Sequence, residues 1–213
     1  VLPLGAFLFF HLGVNLRALS GDAAFAGIVD ALHRSRGFAV AEAVVLGAPL
    51  LLHATLGLWL TWKGEPLARP SPYAPPLLAA LRATGVVAAV FVVAHLFDVR
   101  FRIALPRPAG AELASLLAAE MSSTRFGIPW RAAAYVAAAG CVAFHFVVGC
   151  WGAYARSAHG MAGTRRRTAA AVVAAVVGVA LGVGFGDVVV FHATGMRLLG
   201  GHAPGAAPVQ ACP

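Results

Sequence analysis

Charge is what this sequence has least of. Only 11% of its residues are Asp, Glu, Lys or Arg, against about 25% in soluble domains. With 60% hydrophobic residues and a mean hydropathy of +0.82, a water-soluble globule is excluded. Cysteine is scarce too, at three in the chain. Cys141 and Cys150 stand nine residues apart, about 13.5 Å along one helix, which is too far for a disulfide. There is no CxxC pair to suggest zinc and no CxxCH for covalent haem attachment, so any haem here is b-type. No stretch carries a flavin, nucleotide or iron–sulfur motif, and "GVGFG" at 182–186 reads as helix packing.

Long apolar runs are what the chain does have. Five of them cover roughly 1–16, 38–62, 78–97, 132–155 and 168–191, and runs of about 18 or more residues with almost no charge read as membrane spans. The expected fold is all-α: five transmembrane helices in one unit over 1–199, four of them forming a bundle, then an irregular Gly/Pro/Ala-rich tail over 200–213. The first span is short and lacks an initiating Met, so residues are expected to precede Val1. A cleaved signal peptide is not expected, because His11, Asn15 and Arg17 suit a retained span. Between spans, "AAFAGIVDALH" sets Phe25, Ile28, Val29 and Leu32 on one helical face, as a short interfacial helix would. "AELASLLAAEM" at 111–121 can do the same.

The formal charge of +8 and pI near 10.7 do not point to nucleic acid, because the cations sit at span ends, where headgroups are. Five spans put Lys63, Arg69, Arg82, Arg156 and Arg165 to Arg167 on one side, seven in all. Nine lie on the other: Arg17, Arg34, Arg36, Arg100, Arg102, Arg107, Arg125, Arg131 and Arg197. That count does not orient the chain. The dense "RRR" at 165–167 favours a cytoplasmic loop between spans four and five.

Four spans carry a histidine in an apolar setting: His11, His53, His95 and His145. An imidazole in hydrocarbon needs a partner. Measured from the arginines bounding the spans on one common side, His11 and His95 lie about 9 and 7.5 Å deep, His53 and His145 about 25 and 21 Å. The four therefore fall into two pairs at two levels. Facing imidazoles at one level can ligate an iron axially from both sides, as bundle cofactors are held. Gly57 and Gly149, each four residues beyond a histidine of the deeper pair, would give a flat macrocycle clearance; helix packing is their ordinary alternative. His192 shares the outer level and leaves open which histidines pair there. Asp187 is an isolated carboxylate, expected to be protonated or hydrogen-bonded within the bundle, with proton transfer a further option.

"VLPLGAFLFFHLGVN", "PLLLHATLGLWLTW", "LRATGVVAAVFVVAHLFDVRF" and "YVAAAGCVAFHFVVGCWGAY" together resemble the cytochrome b membrane anchor of succinate dehydrogenases and fumarate reductases, in its single-chain, five-helix, two-haem form. The resemblance implies a flavoprotein (FAD) partner and an iron–sulfur partner on the cytoplasmic face of a bacterial membrane. It also implies a cytoplasmic N-terminus, an external C-terminus, and electron transfer to a membrane quinone, expected to be menaquinone. Succinate oxidation would belong to the complex and not to the isolated chain. By resemblance, His11 and His95 ligate a distal haem iron, His53 and His145 a proximal one, and His192 ligates none. The family's residues ahead of the first span are absent from this sequence. A glutamate that some relatives carry two positions before the fourth-helix histidine is Ala143 here, so any transmembrane proton compensation would use another group.

Haem propionates need cationic or hydrogen-bonding partners. Lys63, Arg82 and Arg156 suit the inner haem; Arg17, Arg100 and Asn15 suit the outer one, although span-end cations also serve headgroups. Asp30 and His33 are candidates for quinone contact. The rival functions are the di-haem anchor of another respiratory oxidoreductase, a haem-free transporter relaying protons through histidines, and a purely structural bundle, which gives no reason for two histidine levels.

Overall fold

The computed structural model describes residues 2–35, 37–64, 71–103, 108–157, 163–198 and 201–202. Arg36, Arg69, Arg107 and the tail from residue 203 onward lie outside the described residues, as do the side chains of Arg100 and Arg102. Among the described residues the chain is all-α apart from a two-stranded antiparallel ribbon, Met196–Arg197 with Gly201–His202. Its helices are α1 (Leu2–Leu16), α2 (Asp22–Arg34), α3 (Phe38–Ala41), α4 (Ala48–Lys63), α5 (Pro75–His95), α6 (Gly110–Ser122), α7 (Trp130–Arg156) and α8 (Thr164–Thr194). Short extensions complete five helices long and apolar enough to cross a membrane: Leu2–Ser20, Glu42–Lys63, Pro75–Val99, Trp130–Arg156 and Thr164–Thr194.

Proline explains several of the boundaries. α5 opens on Pro75 and Pro76, where the missing N–H has no intrahelical partner to lose. Pro49 sits one residue inside α4, and its ring would crowd the carbonyl four residues back. The preceding Glu42–Gly47 turn is widened to a π-helix, which takes up that mismatch. At the far end of α8, Gly195 adopts φ 72°, and its N–H bonds the Phe191 carbonyl at 2.7 Å. This left-handed cap turns the chain back against the bundle.

α7 and α8 pack along each other, α5 lies against α7, and α1 lies against α8. "GVGFG" serves this packing at Gly184, where an added Cβ would come 3.2 Å from Leu12 of α1. Outward faces carry exposed apolar side chains such as Leu51, Leu52, Val90, Val93, Val173 and Val176, which suits a lipid solvent. α4 is the loosest member and buries none of its residues.

The two interfacial helices do more than lie along a surface. α2 and α6 pack together over the outer end of the bundle, burying Phe25, Val29, Leu113 and Ala114 with Ala18 and Phe191. The Asp30 carboxylate accepts the Gly110 N–H at 2.9 Å, satisfying a free donor in the first turn of α6. Arg131 of α7 bridges Asp98 at 3.2 Å and Glu120 at 2.9 Å, joining α7, the end of the third span and α6.

Candidate functional site

The four span histidines meet as two pairs. His11 of α1 faces His95 of α5, with ring centroids 5.9 Å apart and planes at 79°. His53 of α4 faces His145 of α7 at 6.1 Å and 71°. Metal–imidazole bonds of about 2 Å would put two rings on a shared iron with centroids roughly 6 Å apart. Their mutual angle is free, since each plane need only contain the axis between the two ligating nitrogens. Among the described residues, no group of three or more His, Cys, Asp or Glu is placed to hold a bare metal ion. Two nitrogens per site suit an iron whose macrocycle supplies the remaining ligands. The residues present fit haem.

Each pair is set differently. In the outer pair, His11 lies between Phe7 at 5.3 Å and Phe185 at 6.0 Å, and His95 between Phe91 at 5.6 Å and Tyr135 at 5.8 Å. His95 Nδ1 is buried without a hydrogen-bond partner. Asn15 donates to the His11 carbonyl at 2.8 Å and brings its amide within 3.5 Å of the ring, so it touches the histidine itself. In the inner pair, His145 Nδ1 lies 3.0 Å from the Leu81 carbonyl. A carbonyl only accepts, so Nδ1 carries the proton and Nε2 keeps its lone pair for a metal.

Space is available beside the inner pair. A Cβ added at Gly57 or Gly149 would meet nothing within 4 Å, so neither glycine is used for close helix packing. Lys63 is exposed at the end of α4, its ammonium 4.9 Å over the Trp59 ring. Arg156 is exposed at the end of α7, Arg82 half-buried on α5, and Arg17 exposed just beyond α1. Arg100's side chain lies outside the described residues. Asp30 is engaged with α6, as above; His33 lies half-buried at the end of α2.

His192 stands apart from both pairs. Its ring meets Phe25 and Phe191, each at 6.1 Å, under the cap formed by α2. Asp187, 5% exposed, accepts the Leu198 N–H at 2.6 Å, and Arg197 donates to the Leu19 carbonyl. The carboxylate is thus hydrogen-bonded within the fold, as its isolation in an apolar span required. Sequence reasoning missed the aromatic walls, although Phe7 and Phe91 each precede a histidine by four residues. It also missed the Leu81 carbonyl, which no side-chain pattern announces.

The chain is 26% identical over 152 residues to the succinate dehydrogenase cytochrome b558 subunit of Bacillus subtilis (strain 168), covering 71% of each protein. The chain resembles the succinate dehydrogenase cytochrome b family. That likeness was legible in the histidine-centred stretches, and it covers 152 of the 213 residues. No protein-family model matches the sequence, and no solved structure matches it.

Proposed function

We propose that this protein is the di-haem cytochrome b anchor of a succinate:quinone oxidoreductase. The observation that carries the proposal is the meeting of four span histidines as two pairs at iron-sharing distance, joined to the likeness to a succinate dehydrogenase cytochrome subunit. His53 and His145 hold the inner iron, and His11 and His95 the outer. When bound, two b haems would supply a one-electron relay between an iron–sulfur partner and a membrane quinone. The chain's own part is to orient four imidazoles, to wall the outer pair with Phe7, Phe185, Phe91 and Tyr135, and to seat two partners.

Those partners are a flavoprotein and an iron–sulfur subunit, docked on the side bearing Lys63 and Arg165 to Arg167, with menaquinone as the acceptor on the opposite side. Lys63, Arg82 and Arg156 lie at the right end of the bundle to meet inner propionates; Arg17 and Arg100 lie at the outer end. Asp30 already holds α6, so His33 is the freer candidate for quinone contact. Purification from native membranes tests the proposal. The chain should arrive with two partner subunits, and succinate should reduce a b-type absorption band. A preparation without haem, or one whose haem succinate leaves oxidised, would contradict it.

A further inference from the structure

We infer that Gly85 is a positioning residue for the inner histidine pair, clearing the place in which His145 is locked through the α5 backbone. The inference rests on the proposed ligation by His53 and His145. A Cβ added at Gly85 would stand 2.8 Å from His145 Cε1 and 3.1 Å from Nδ1. Those are atoms of a rigid ring, not the end of a flexible chain. The ring has no direction in which to yield cheaply. Moving off α5 stretches its 3.0 Å bond to the Leu81 carbonyl, and turning aside changes its facing on His53, 6.1 Å away.

Leu81 and Gly85 are one helical turn apart, so a single turn of α5 supplies both the acceptor and the clearance. Among the described residues, His145 is the one of the four whose ring nitrogen meets a backbone carbonyl; His95 Nδ1 is buried without a partner, and His11 faces the Asn15 amide. An Nδ1–H held by a carbonyl fixes the tautomer and makes Nε2 a stronger donor to a metal. Stronger donation favours oxidised iron, and such bonds tune haem potentials. Alanine is the better helix former, so a defect from Gly85→Ala would arise at the ring and not from the propensity of α5.

The test is a redox titration of the b absorption in the purified complex, comparing native protein, Gly85→Ala, His145→Ala and Gly140→Ala, whose added Cβ meets nothing within 4 Å. His145→Ala identifies the inner component by losing it. Gly85→Ala should raise the midpoint potential of that component or abolish its low-spin signal, leaving the outer component unmoved; Gly140→Ala should match native. If Gly85→Ala matches native while His145→Ala loses one component, the positioning role is overturned and ligation stands. If His145→Ala keeps both components, the ligation reading itself fails. Should Gly85→Ala not assemble, pulsed EPR of the native complex decides. The remote nitrogen of one inner ligand should differ from the other three; four alike would overturn the inference.

Discussion

At the residue scale, an imidazole placed in hydrocarbon must find a partner, and each histidine of the four spans finds another histidine. Removing one member of a pair leaves a single axial nitrogen. Replacing His53 or His145 with Ala should therefore abolish the inner low-spin signal and stop electron transfer to quinone. Replacing His11 or His95 should spare the inner haem and its reduction by succinate while blocking quinone reduction. His192→Ala should leave both haems low-spin, since its ring packs on Phe25 and Phe191; EPR of the five variants reads the spin states, and a succinate:quinone assay reads the electron transfer. Asp187 makes a separate prediction. Asp187→Ala leaves the Leu198 N–H without its acceptor and should cost about 1–3 kcal/mol, whereas Asp187→Asn keeps an acceptor and should cost less; thermal melting of the purified complex ranks them. Depth counted from bounding arginines was enough to sort the histidines into levels, because helix rise is fixed. It could not choose between His95 and His192 at the outer level. That choice depends on rotation about the helix axes, which follows from packing.

At the element scale, the five spans were legible because composition sets them, and both interfacial helices because α2 carries a clean apolar stripe. What the sequence hid was their joint use as a cap. Phe25 and Val29 of the α2 stripe are buried against α6 and the end of α8, while Ile28 and Leu32 are half-buried, and the Asp30 bond to Gly110 has no local sequence signature. Phe25 is 3% exposed at the centre of that cap. Phe25→Ala should cost roughly 3–5 kcal/mol and speed hydrogen exchange over residues 22–34 and 110–122. Exchange in the central turns of α7 should not change. Unaltered protection of α2 and α6 would mean the cap is held by something other than its apolar core.

At the scale of the whole molecule, α8 is 31 residues long, about 46 Å by rise, and so outruns a hydrocarbon core of about 30 Å. Its surplus places Arg165 to Arg167 beyond one face and the Asp187–His192 region toward the capped end. The two ends then differ in packing: one is closed by α2 and α6, while exposed cations stand at both, Lys63 and Arg165 to Arg167 at one and Arg17, Arg34 and Arg125 at the other. Crosslinks from the partner subunits should reach Lys63 or Arg165 to Arg167 after substitution by a photoreactive residue. Crosslinks at Arg125 instead would invert the topology. The central claim is that four histidines hold two irons, and haem stoichiometry tests it most directly. A pyridine haemochrome assay on the purified complex, referred to the amount of this chain, should return two b haems per chain; one, or none, would contradict the account.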